Sequence, residues 1–147
     1  MKSLFMTLMM GIATLAAANT TNPIETKKVN TSESSITWKG KKVTGSHTGT
    51  IDIKEGSLNY DGDMLTGGTF VVDMTSINCT DLEAGSGKEK LEGHLKSEDF
   101  FGVESNPTAK FDITKVVSRG TKGSYKVIGN ITIKGKTKEI KFLAEEA

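Results

Sequence analysis

Along most of this chain apolar and polar residues alternate one for one. In "SSITWKGKKV", Ile36 and Trp38 share a face, with Thr37 and Lys39 on the other. In "HTGTIDIKEG", His47, Gly49, Ile51 and Ile53 fall together. "MLTGGTFVVDMTSI" aligns Met64, Phe70, Val72 and Met74, and "TAKFDITKVV" aligns Ala109, Phe111, Ile113 and Val117. "SYKVIGNITIKG" does the same with Tyr125, Val127, Gly129, Ile131 and Ile133, and "EIKFLAEE" with Ile140, Phe142 and Ala144. A period of two marks a strand buried on one side. One-sided strands joined by short turns, such as the one signalled by Asp61-Gly62, predict an antiparallel sheet. About six or seven such strands predict an all-β domain, either a sandwich or an up-and-down barrel. Gly49, Gly67, Gly68 and Gly129, inside strand patterns, mark bulges or bends where a sheet can curl.

One stretch breaks the alternation. In "GKEKLEGHLKSEDFF", Leu91, His94, Leu95 and Glu98 stand at i, i+3, i+4 and i+7. That spacing predicts one short amphipathic helix around residues 86-98, its apolar face turned onto the sheet. The helix should end before the "FFGVESNP" loop, where Pro107 forbids continuation. Ahead of the strands, residues 19-33 read as a polar lead, with a short strand from Ile24 to Val29.

Residues 1-18, "MKSLFMTLMMGIATLAAA", have Lys2, an apolar run and a small-residue end. This is the layout of a secretory signal peptide, with cleavage expected near Ala18/Asn19. The apolar run of about 15 residues is shorter than the roughly 20 needed to span a bilayer. A periplasmic or secreted protein is expected, without a stable membrane anchor after cleavage. Cys79 is the single cysteine, so no internal disulfide can form, and burial is the favoured fate of its thiol. The 19 basic and 18 acidic residues are interspersed. The densest basic cluster, "KGKTK" at Lys134–Lys138, has no interleaved aromatics to stack on bases, so no nucleic-acid partner is expected.

Candidate chemistry is sparse. A zinc site needs three or four ligands, and His47, Cys79 and His94 could supply three only if the fold converged them; no metal, no cofactor and no catalytic residue is expected, hence no enzyme. "GSGK" at Gly85–Lys88 lacks the first glycine and the final Ser/Thr of a phosphate loop. His47, on the apolar face of its strand, is either a core histidine bonded to backbone or a polar tip that orients a ligand head group. His94 reads as a helix-face residue packing at a lid. Pooling the inward faces brings Trp38, Phe70, Met74, Leu91, Leu95, Phe100, Phe101, Phe111 and Phe142 to one interior. Periodicity does not say whether that interior is a packed core or a lumen.

"SSITWKGKKVTGSHTGTIDIKEGSL", "GGTFVVDMTSI", "KLEGHLKSEDFFGVESNPTAKFDIT" and "YKVIGNITIKGKTKEIKF" together resemble the YceI-like family of polyisoprenoid-binding proteins. The resemblance runs from Ser34 to Phe142, within a domain placed at 34-147. Its most specific parts are Leu91 to Phe111 and Gly129 to Thr137. It implies an antiparallel lipocalin-like β-barrel of an exported, non-enzymatic protein. The barrel would hold a long apolar lipid, an isoprenoid or fatty-acid derivative, in an elongated channel. Leu91, Leu95, Phe100 and Phe101 would then close one side, opposite Trp38, Phe70 and Phe111, with Met74 in the wall and His47 as the polar tip. Family members are often dimeric, so a homodimer is one expected assembly. They usually continue with further strands beyond the point where "FLAEEA" stops, so an open or incomplete barrel is expected here. The alternative is an exported β domain with a packed core, acting in protein–protein contact or stress response.

Overall fold

A computed structural model describes residues 21–147; the signal-peptide expectation for residues 1-18 lies outside them. Seven strands and one helix follow in chain order: β1 (Glu25–Lys28), β2 (Ile36–Lys42), β3 (Gly45–Asp61), β4 (Met64–Cys79), α1 (Lys88–Lys96), β5 (Thr108–Ser118), β6 (Ser124–Ile133) and β7 (Lys136–Glu145). Every pairing is antiparallel. β4, β5, β6 and β7 follow β3 as a meander, while β1 and β2 pair with opposite ends of the long β3. Two-residue turns close the tightest hairpins. Gly62, at φ 58°, follows Asp61, and Lys134-Gly135, at φ 48° and 71°, joins β6 to β7. Positive φ at both central positions of the Lys134-Gly135 turn suits the strand twist of such hairpins.

Among the described residues the sheet curls without closing, leaving β7 paired only to β6 and β1 and β2 only to β3. Trp38 of β2 and Ile133 of β6 nevertheless pack against the same buried residues, Met74, Ile77, Val103 and Ala109. In a flat sheet four strand spacings would separate them by about 19 Å. The architecture is an open, lipocalin-like antiparallel sheet.

Bulges correct several faces that strict alternation assigns. Between Asn59 and Tyr60 of β3 the register with β4 shifts, so Leu65 is buried at 8% exposure and Met64, expected inside, is 46% exposed. Between Ile113 and Lys115 of β5 the register with β6 shifts, so Val116 packs on the core while Val117, expected inside, is 40% exposed. A third irregularity lies in β4: Asp52 pairs with Asp73 and Thr50 with Asn78, and the segment between loops out. Asp73 Oδ1 accepts from the Thr75 amide at 2.9 Å and its hydroxyl at 2.6 Å. The Ser76 hydroxyl donates to Asp73 O and accepts from the Asp52 amide. The three extra residues on β4, an odd number, reverse the pleat, which lets Met74 and Ile77, three apart, both point inward.

The interior divides into two clusters. Toward one end Leu65, Phe111, Tyr125 and Val127 are buried, with Phe70, Leu58 and Ile140 packed on them. The Phe111 ring lies over Gly129, where a Cβ would come within 2.5 Å of it. The Tyr125 hydroxyl donates to Glu146 Oε1 at 3.4 Å. This end is filled. The other cluster, around Met74, Ile77, Val103 and Ala109, is not.

Candidate functional site: an apolar groove under the helix

The unfilled end holds a cavity of about 510 Å³. Its walls come from β2 (Ile36, Trp38), β3 (Ile51), β4 (Val72, Met74, Ile77), β5 (Ala109) and β6 (Ile131, Ile133). Leu95 of α1 and the following Phe100 and Phe101 lie over it. Lys39 is the one charged residue on its lining. The size falls within the ~300–1,000 Å³ of small-molecule sites.

Each wall has a local cause. Trp38 pairs with Gly49, where a Cβ would stand 2.4 Å from the indole; the missing side chain gives the ring its seat. The indole Nε1–H donates to Thr50 O at 3.2 Å, so its polar atom is satisfied and its face is left to the groove. The helix ends in a knot of backbone bonds. Phe101 N donates to Leu95 O, Gly102 N to Ser97 O and Val103 N to Lys96 O, at 2.8–3.1 Å. Lys134 at the β6–β7 turn donates to Glu98 O and lies 3.6 Å from its carboxylate. These ties hold the two phenylalanine rings edge to face at 4.8 Å. Phe101 is half-buried, and Phe100, 48% exposed, forms the rim.

Of the residues singled out from sequence, Trp38, Met74, Leu95, Phe100 and Phe101 come together on this groove. Phe70 and Phe111 belong to the other cluster, Phe70 packing on the buried group that includes Phe111, and neither lines the groove. Leu91 is half-buried on the helix and does not reach the lining. His94 is exposed, its ring 6.0 Å from that of Phe100. His47 also lies off the lining. It sits at the β3 end with Nδ1 3.2 Å from Asp81 Oδ2. Asp81 Oδ1 accepts from the buried Cys79 thiol at 3.0 Å and from the Thr48 amide at 3.2 Å. Burial, and then the Asp81 carboxylate, push the Cys79 thiol up from its ordinary pKa. The thiol's hydrogen bond, with those from Thr48 and His47, holds Asp81 below the usual carboxylate range. Sequence inspection placed Ile36, Ile51, Val72, Ala109, Ile131 and Ile133 on inward faces but could not tell that they border a void. Ile77 was out of phase until the β4 bulge restored it.

A model of the YceI-like domain matches residues 28–146. The chain belongs to the YceI-like family. Among its relatives, a UPF0312 protein of Serratia proteamaculans is 32% identical over 68 residues, covering 46% of this chain and 34% of its own. One from Staphylococcus epidermidis is 33% identical over 96 residues, covering 63% of this chain and 48% of its own. The chain thus spans between about a third and a half of these relatives' length. Two solved structures share the fold. BcnA of Burkholderia cenocepacia superposes with a TM-score of 0.65 at 18% identity, over 81% of this chain and 73% of its own. The YceI protein of Campylobacter jejuni gives 0.54 at 21% identity, over 80% of this chain and 66% of its own.

Proposed function

We propose that this YceI-like protein binds a long apolar chain, an isoprenoid or fatty-acid derivative, in the groove under α1, and serves as an exported carrier or sequestering protein. The observation that carries this is the groove itself, lined by aliphatic and aromatic side chains with Lys39 as its one charge. Removing such a surface from water is worth about 25 cal/mol per Å² of apolar area, and a hydrocarbon chain is the ligand that can collect it without leaving polar groups unpaired. Lys39 suits an anionic or hydrogen-bonding head at the mouth. Export rests on the pattern of residues 1-18, and family membership supports the lipid class. No catalysis is assigned. Organic extraction of the purified protein followed by mass spectrometry is the direct test. A co-purified long-chain lipid, or saturable uptake of an added isoprenoid, is expected. Repeated absence of both would overturn the proposal.

A further inference from the structure

We propose that His47, Cys79 and Asp81 form a binding site for a zinc-class divalent metal ion, separate from the apolar groove. The donor atoms, one imidazole nitrogen, one sulfur and one carboxylate oxygen, all lie within 4.8 Å of one another. Asp81 bridges the other two at 3.2 and 3.0 Å. Ligands at ordinary zinc distances on the corners of a tetrahedron stand about 3.3–3.5 Å apart, so the two Asp81 contacts already lie near that spacing and His47 and Cys79 are the pair that would close around an ion. A mixed nitrogen, sulfur and oxygen set suits zinc and its spectroscopic stand-in cobalt, not calcium or magnesium.

The backbone holds these donors together. Gly49 pairs with Cys79, and Thr80 N donates to Thr48 O at 3.0 Å, which locks the end of β4 and the residues after it against β3. The Thr48 amide holds Asp81 Oδ1, leaving Oδ2 toward His47. Glu92 of α1 accepts from the Cys79 amide at 2.7 Å and ties the helix to the end of β4. Cys79 is fully buried, while the side chains of His47 and Asp81 are each 33% exposed. An ion would therefore enter from solvent, displace the thiol proton to water, and keep its fourth position for a water molecule. A cysteine that only filled core volume would need neither partner.

Trp38, the single tryptophan, packs on Gly49, the strand neighbour of Cys79, and so reports on this end of β3. The test is titration of the reduced, metal-stripped protein with Co²⁺. A thiolate-to-Co²⁺ charge-transfer band should appear, saturate at one equivalent, perturb Trp38 fluorescence and be displaced by Zn²⁺. Cys79→Ser should abolish the band. His47→Gln and Asp81→Asn, whose circular dichroism should match the parent, should each weaken affinity by about tenfold or more. No band in the parent protein would overturn the proposal, as would a band of unchanged affinity in both His47→Gln and Asp81→Asn, which would mean a lone thiol.

Discussion

Phe70 and Val71 are neighbours in β4, yet the pleat sends them to opposite faces. Phe70 packs on the filled cluster, while Val71 pairs with Lys110 on the outer face. Phe70→Asp should therefore destabilise by about 3 kcal/mol or more, because the new charge has no partner inside. Val71→Asp should stay within about 1 kcal/mol. Chemical denaturation of both variants checks this, and equal losses would mean the face assignment fails. In the groove the useful change is the opposite one. Ile133→Trp fills open space instead of removing contacts. Uptake of a fluorescent fatty-acid probe should fall by about tenfold or more, with the melting temperature unchanged or raised; unaltered uptake would place the lipid elsewhere. The sequence marked Phe70 and Phe111 as inward as readily as Trp38 and Met74. Which inward residues fill space and which border it depends on how side-chain volumes add up across strands distant in the chain.

At the scale of the element, the bulge in β4 matters most. It rests on Asp73, whose carboxylate lies below its ordinary pKa chiefly through the hydrogen bond donated by the Thr75 hydroxyl. Asp112 of β5 is lowered likewise, first by the Thr69 hydroxyl and then by Lys110. For a carboxylate depressed in the folded state, the stabilisation is complete above the unfolded value of about 3.9 and is lost as pH falls through the folded one. Stability should thus drop on the acid side of about pH 4. Asp73→Asn should flatten that drop while lowering stability at neutral pH. Urea midpoints measured across the acid range decide it; parallel profiles for parent and variant would remove Asp73 from the account. Bulges of this kind were only partly legible in the sequence. Glycines hinted at places where the sheet could bend, but a shift such as that at Ile113 and Lys115 lies between ordinary strand residues. The helix was read more easily, within two residues at each end, because its spacing differs in kind from its surroundings.

At the scale of the molecule, β7 has one partner among the described residues. Phe142, whose ring lies tilted against that of Phe111 at 5.5 Å, remains 43% exposed, and Leu143 beside it is 60% exposed. A free edge with apolar side chains invites another strand. Pairing of two copies along β7 is the expected response, seen as a sedimentation weight that rises with concentration. Leu143→Lys should shift it toward monomer, since a charge on an edge strand blunts such pairing. A parent protein monomeric at all concentrations would refute this.

Strand type, antiparallel class, the helix α1 and the tight turns all follow from local preference. A period of two, a period of 3.6 and a glycine at positive φ each act within a few residues, so the sequence alone determines them. The family likeness is legible there too, because its motifs are contiguous. The groove was decided only in three dimensions. Its walls join β2 to β6 through the curl of the sheet, and its emptiness is the difference between the volume enclosed and the side chains available to fill it. The meeting of His47, Cys79 and Asp81 is likewise tertiary. His47 and Asp81 are 34 residues apart and touch because β3 and β4 pair in one register. Spacing along the chain carries no trace of that register, because hydrogen bonding between strands sets it and bulges adjust it one residue at a time.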